Sequence, residues 1–296
     1  MLGAGCWVLG VGCWVLGART MIRKAAVAGS WYPGSAHALA AAVDRHLAST
    51  TRDVDGDLVA LIAPHAGLMY SGPVAAHAYR LLRGRTFDVV IIVGPSHFVG
   101  FEGVSVYRTG GYETPLGVAE IDTTTAAALV EATPVVRDYP AAHAREHSLE
   151  MQLPFLQHLA PGVPMVPLVM GHQTAATASA LGGALASTLS GRRSLIVAST
   201  DLSHYYDAAT AQTLDRVVID CVTRFDADAL QAALDERPDH ACGGGPAVAV
   251  MRAARALGAN ESVVLRYADS GDVSGDKTAV VGYLAAAFGR FSRAAS

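Results

Sequence analysis

Six short apolar runs punctuate the chain from residue 58 onward, and stretches with helical patterning lie between and beside them. The runs are LVALIA (58–63), VVIIVG (89–94), VPLVM (166–170), SLIVAST (194–200), SVVLRYA (262–268) and AVVGYLAA (279–286). They are continuous rather than alternating, which is the pattern of strands covered on both faces. Helices are predicted at about 35–48, 73–83, 123–131, 148–160, 174–190, 208–224 and 246–257. Strands alternating with helices place the chain in the α/β class. The implied fold is a three-layer α/β/α arrangement around a largely parallel sheet. No Pro/Ser-rich linker divides it, so residues 21–296 are expected to fold as one domain.

Composition narrows the function. The chain has 296 residues, a formal net charge of −4 and 51% apolar residues. An acidic balance without a Lys/Arg cluster argues against nucleic acid as a partner. Four cysteines make no C-x-x-C pair, so a reducing, cytoplasmic setting is expected. Residues 1–20 stand apart. GCWVLG occurs twice with a period of seven, and the first positive charge, Arg19, follows the apolar run instead of preceding it. That order is wrong for a secretory signal. The run is also shorter than the roughly 20 residues that span a bilayer. Residues 1–20 are expected to be a disordered extension, with a membrane-associated tail as the alternative. No other segment resembles a membrane span.

Three of the strand-like runs end alike. LVALIA leads into Pro64-His65-Ala66-Gly67, VVIIVG into Pro95-Ser96-His97, and SLIVAST into Asp201-Leu202-Ser203-His204. In open α/β sheets the carboxyl ends of parallel strands converge on one crevice, where ligands bind. One histidine after a strand is usually an ordinary loop residue, but three polar strand ends in one chain point to a site. His65 and His97 suit metal ligation. Asp201 and His204 suit acid–base chemistry, further ligation or a supporting role beside the ligands. Cys242, in DHACGGGP, precedes an apolar stretch whose helix is expected to start at Pro246. A position just before a helix N-terminus favours thiolate, and three glycines let the backbone approach a ligand closely. Cys221 is different, because Val217, Cys221 and Phe225 recur at helical spacing, as core residues do. In HAREHSLEMQLPFL (143–156), Ser148 is a candidate N-cap, Leu149, Leu153 and Leu156 are expected inward, and His147 and Glu150 lie near the helix start. They fit a solvated first turn or a site equally well. His37, His46, His77, His158, His172 and His240 read as structural or solvated. DSGDVSGDK (269–277) lacks the ordered ligand spacing of an EF-hand and reads as a turn.

Taken together, AVAGSWYPG (26–34), IAPHAGLMYSGPVAAHAY (62–79), VGPSHF (93–98), EHSLEMQLPFL (146–156), STDLSHY (199–205), ACGGGP (241–246) and SGDVSGDKTAVVGY (270–283) resemble the Memo-like family. That family includes the B component of AmmeMemoRadiSam systems. The matching stretches run in order across nearly everything after Met21. The resemblance implies a fold similar to class III extradiol dioxygenases, non-haem iron enzymes with a mixed sheet between helical layers. It puts metal-binding positions on His65, His97 and Cys242, a neighbouring polar pair on Asp201 and His204, and pocket aromatics on Trp31 and Tyr70. Those dioxygenases complete their iron site with a carboxylate. A thiolate here favours copper or tightly held iron and argues against simple ring cleavage.

Three functions follow as expectations. The first is a mononuclear iron or copper centre with redox or oxygen-dependent chemistry, in which Asp201 and His204, with His147 assisting, manage protons. The second is an accessory module that binds a small molecule or peptide in its cleft and works with an AMMECR1-like protein and a radical-SAM enzyme. The third is a cysteine nucleophile activated by His204 or His97 and oriented by Asp201. A nucleophile needs one base, and this chain offers more.

Overall fold

The computed structural model describes residues 21–51 and 53–292, so the GCWVLG repeat and the extension expected at 1–20 lie outside the described residues. The chain opens with β1 (Ile22–Arg23), α1 (Ala36–Ala48), β2 (Gly56–Ala63), α2 (Leu68–Tyr79) and β3 (Val89–Pro95). Next come β4 (Val104–Val106), β5 (Gly111–Thr114), β6 (Gly117–Glu120), α3 (Thr123–Ala132), β7 (Val136–Asp138), α4 (Leu153–Leu159) and β8 (Met165–Met170). The remainder is α5 (Ala175–Leu189), β9 (Ser194–Ser199), β10 (His204–Tyr206), α6 (Ala208–Thr223), α7 (Ala227–Glu236), α8 (Gly244–Ala256), β11 (Glu261–Asp269), α9 (Gly271–Ser274) and β12 (Val280–Phe291).

The main sheet runs β10-β12-β2-β9-β3-β8-β4-β7, with β11 also paired to β12. Its centre, β2-β9-β3-β8, is parallel, in registers such as Ile62 opposite Ala198 and Ile92 opposite Val197. β12 and β4 flank that centre antiparallel, which makes the sheet mixed. The six or more buried residues in each of β2, β3, β8 and β9 follow from helices on both faces. α8 lies across β2, β9 and β3 with α5 and α7 against it, while α2 covers β2, β11 and β12 with α1 and α4 beside it. The result is the expected three-layer α/β/α architecture. A small second sheet, β1-β5-β6, sits apart from the main one.

Several expectations needed correction. The helix expected at 73–83 begins at Leu68, directly after Gly67, and carries Pro73 inside its second turn. A proline there removes one intrahelical hydrogen bond without ending the helix. The 148–160 helix divides into a 3-10 turn, Glu150–Gln152, and α4, and Ser148 caps neither, because its hydroxyl is drawn to the Pro95 carbonyl (3.0 Å). β11 is only partly buried, since it pairs with β12 alone at the margin of the sheet. Cys221 and Phe225 are core residues, but Val217 is exposed on the outer face of α6. Among the described residues no helix is long and apolar enough to cross a membrane.

Candidate metal centre

β2, β9 and β3 are parallel neighbours, so their carboxyl ends open on one edge of the sheet and present His65, Asp201 and His97 together. Cys242 joins them from the start of α8. Its backbone N–H donates to the Asp201 carbonyl (3.2 Å), and the next N–H, of Gly243, donates to Thr200 Oγ1 (2.9 Å). The glycines that follow are needed for this docking. A Cβ on Gly243 would lie 2.5 Å from the Ser199 carbonyl, one on Gly244 2.5 Å from Leu234 Cδ2, and one on Gly245 2.8 Å from Gln173 Cβ. The close approach expected toward a ligand is therefore made toward the protein itself. The helix also starts at Gly244, two residues before Pro246.

His65 is buried, and its protonation follows from its partners. Ser199 Oγ donates its single hydrogen to the Ser148 carbonyl (2.6 Å) and accepts from Gln152 Nε2 (2.7 Å). The Gln152 amide is oriented because Nε2 also reaches the Pro64 carbonyl (3.1 Å) while Oε1 accepts from the Tyr79 hydroxyl (2.7 Å). Ser199 Oγ thus has only a lone pair left for His65 Nδ1, 2.9 Å away, so Nδ1 carries the proton. The Nε2 lone pair then faces Cys242 Sγ at 3.3 Å. Burial first, and the charge of His97 second, push the His65 pKa well below the usual imidazole value, which keeps that lone pair available.

His97 is fixed the same way by Glu146. The carboxylate accepts from the His97 backbone N–H (2.7 Å), from His97 Nδ1 (2.8 Å) and from the Ser148 N–H (2.9 Å). Burial works against its charge, but these donors prevail and hold its pKa at about 2. Nδ1–H of His97 is therefore committed, and Nε2 is the free nitrogen. Ligand atoms of His65, His97 and Cys242 all lie within 4.8 Å of one another. His97, Glu146 and His147 form a second, overlapping group of the same compactness.

His147 stacks on His97 (4.4 Å between ring centroids) and meets Trp31 at 4.3 Å, so His147 lies beside the candidate centre and is not a solvated residue of a first turn. Burial and the charges of His65 and His97 lower its pKa to about 3. Asp201 accepts the His65 backbone N–H at Oδ1 (2.7 Å), and desolvation raises its pKa to about 6. His204, half-buried on β10, is close enough for its charge to act on both Asp201 and His65. Trp31 enters through its contact with His147, whereas Tyr70 stands in the first turn of α2 beside Gly67.

Cys242 overturns one expectation. Burial, then the nearby Asp201 charge, push its thiol far above the usual range, despite its place before a helix N-terminus. Desolvation outweighs the dipole here, so without a cation the thiol stays protonated and is a poor nucleophile. Glu150, the other acidic residue singled out near His147, is not in the centre. It is fully buried against Arg23, the N–H groups of Ala26 (2.8 Å) and Val27 (3.1 Å), and the Tyr32 hydroxyl (2.5 Å). Arg23 in turn donates to the carbonyls of His143 (2.8 Å) and Glu146 (2.6 Å), which clamps the loop that carries Glu146 and His147. Glu146, Ser199, Gln152 and Arg23 were not singled out from the sequence. Glu146 directly precedes His147, and that pairing was the one local signal available.

Residues 23–287 match the profile of the Memo-like protein family. A MEMO1 family protein of Methanothermobacter thermautotrophicus is 40% identical over 273 residues, covering 89% of this chain and 99% of its own. Another, from Methanopyrus kandleri, is 39% identical over 282 residues, covering 91% of this chain and 100% of its own. An uncharacterised protein of Escherichia coli K12 superposes on 77% of this chain and 99% of its own, at 17% identity and a TM-score of 0.49, too distant to bear on the chemistry. With the family profile spanning nearly all of the described residues and full-length relatives at this identity, the chain belongs to the Memo-like family.

Proposed function

We propose that this protein binds a single iron or copper ion through His65 Nε2, His97 Nε2 and Cys242 Sγ. The observation that carries this is the enforced His65 tautomer, whose Nε2 lone pair points at Cys242 Sγ 3.3 Å away. Metal–nitrogen bonds of about 2.0–2.1 Å and a metal–sulfur bond of about 2.3 Å place N and S roughly 3.5 Å apart around one tetrahedral ion, so the spacing suits a metal. Mixed imidazole and thiolate donors favour copper, iron or zinc over magnesium or calcium. Iron or copper held there would supply redox or oxygen-dependent chemistry.

The chain's own residues then have distinct tasks. Asp201, with its pKa at about 6, can hold or release a proton near neutral pH beside the ligands. His204 stands next to it as a proton partner. His147 and Trp31 form an aromatic wall that limits water at the cleft. Elemental analysis of anaerobically purified protein tests the proposal. One equivalent of iron or copper is expected in the wild type, with loss in Cys242→Ser and His65→Ala. Full metal content in both variants would refute it.

A second reading draws on the exposed aromatics around the cleft: Trp31 is 38% exposed, Phe98 49% and Tyr205 77%. Phe98 lies 5.8 Å from the His147 ring, so it belongs to the same mouth. Such a rim suits a peptide or a docking protein, and an AMMECR1-like protein and a radical-SAM enzyme are the proposed partners. Mixing the purified proteins and measuring their association by sedimentation tests this, and no association with either one removes it.

A further inference from the structure

A cavity of about 540 Å³ opens at the edge of the sheet opposite the candidate centre, where β2, β9 and β3 begin. Four arginines line it, Arg85, Arg192, Arg193 and Arg290, against one lining carboxylate, Asp57, in a chain whose net charge is negative. They come from three separate segments, so no local run of basic residues marks them in the sequence. The cavity lies where α5 and α8 end, and a helix C-terminus favours a cation. That accounts for two of the four. Arg85 Nε donates to the Leu81 carbonyl (2.7 Å), in the 3-10 turn after α2, and Arg290 Nη1 donates to the Leu257 carbonyl (3.1 Å) just beyond α8. It does not account for Arg192, which reaches Asp122 and Thr125, or for Arg193, which reaches Asp88 and Thr86. Nor does it neutralise Arg85, whose remaining bonds, to Val54 (2.7 Å) and Gly56, also end on uncharged carbonyls. The arginines are within reach of solvent: the side chains of Arg193 and Arg290 are 70% and 52% exposed. Their ion pairs, with Asp88 (2.7 Å) and Asp57 (3.2 Å), are therefore of the weak, exchangeable surface kind. Each guanidinium has five N–H donors and commits two or three to these bonds, which leaves donors over.

We infer that this cavity binds a small molecule carrying two or more phosphates, about the size of a nucleoside diphosphate. Phosphate oxygens match the planar guanidinium fork, and two linked phosphates can engage arginines from different segments at once. Phe87 and Leu257, both half-buried in the same wall, offer an apolar face to the rest of an organic ligand. The volume falls within the roughly 300–1,000 Å³ of ligand pockets. The proposed metal lies past the opposite ends of the same three strands, so phosphate binding here does not depend on it.

The test is calorimetric titration of ADP, pyrophosphate and adenosine into wild type, Arg193→Gln, Arg290→Gln and His65→Ala at low salt. ADP is expected to bind at least tenfold more tightly than adenosine, and added salt should weaken it. Arg193→Gln and Arg290→Gln should each weaken ADP fivefold or more. His65→Ala should leave it unchanged, which separates this cavity from phosphate bound by a metal. Should Arg290→Gln fail to fold, Arg193→Gln, at the more exposed position, still decides. ADP binding no tighter than adenosine, unaffected by both arginine variants, or lost in His65→Ala overturns the inference. Pyrophosphate separates the sources: binding as tight as ADP identifies an inorganic oligophosphate, and much weaker binding identifies an organic one seated on Phe87 and Leu257. ADP binding by wild type that carries no metal would support this inference and overturn the metal proposal alone, and metal without ADP binding would overturn this one alone.

Discussion

Ser199→Ala is the sharpest test of how the centre is built. Ser199 Oγ is buried and serves three groups: the Ser148 carbonyl, the Gln152 amide and His65 Nδ1. Alanine leaves Gln152 Nε2 with the Pro64 carbonyl at 3.1 Å, so two groups are orphaned, the Ser148 carbonyl and the His65 N–H. At roughly 1–3 kcal/mol for each buried unpaired group, a stability loss of about 3 kcal/mol is expected. For a domain of this size that lowers Tm by about 6–12 °C. His65 also loses the restraint on its tautomer and can carry its proton on Nε2, toward Cys242. Removing a partner of a ligating histidine typically weakens metal binding about 10–100-fold. Chelator-competition titration of the folded variant measures the affinity and thermal unfolding measures the stability. Tyr79→Phe, one bond further along the same chain, should show a smaller loss of affinity in the same direction. A folded Ser199→Ala protein with wild-type affinity would refute the assignment of the His65 tautomer.

Metal binding at pH 7.5 should release a proton from Cys242, whose thiol is held protonated by burial, so affinity should rise about tenfold per pH unit. Calorimetry in two buffers of different ionisation enthalpy counts that proton. Gly243→Ala places a Cβ 2.5 Å from the Ser199 carbonyl and should abolish metal binding or folding. Gly183→Ala, with no atom within 4 Å of its Cβ, should stabilise α5 by about 0.5–1 kcal/mol in denaturant unfolding. Acid should destabilise the metal-free protein early. His143 and His147, both held at about 3, bind protons only when unfolded, so their stabilisation is present above pH 6.5 and lost as pH falls toward 3. Asp201, raised to about 6, acts in the opposite sense between about 6 and 3.8. His65 adds to the histidine side, so Tm should fall steadily from pH 7 to pH 5.

The sequence made the central sheet legible because β2, β3, β8 and β9 are continuous apolar runs, and only burial on both faces explains such runs. The same signal located His65, His97 and Asp201, since strand ends in a parallel sheet must converge. Short strands such as β4, β5 and β7 were invisible, being three or four residues long and set by pairing rather than by pattern. Helix α7 was missed although Leu230, Gln231 and Leu234 line its buried side. Hydrogen-bond geometry carries the rest. Nothing in Ser199, Gln152 or Tyr79 as letters says that one hydroxyl proton decides the tautomer of a histidine more than 130 residues away. The glycines after Cys242 misled for the same reason, because a glycine signals close approach without saying to what.

The charges of the site argue for a cation more strongly than its residue types do. His65 and His147 are kept unprotonated, the Cys242 thiol is pushed up and Asp201 is pushed toward its neutral form. Glu146 is the exception, and its charge is taken up by three N–H donors of His97 and Ser148. Without a metal the cluster therefore offers lone pairs beside the negative charge of Glu146 and, above a pH of about 6, that of Asp201, in a desolvated setting where an unpaired ion would be costly. A cysteine built for nucleophilic attack needs the reverse, a neighbouring positive charge that lowers the thiol pKa before any substrate arrives. Here a bound cation would favour the thiolate, and by doing so it would offset the desolvation that raises the thiol pKa. The bond from His97 Nδ1 to Glu146 turns Nε2 away from the carboxylate, the orientation that the proposed metal would need.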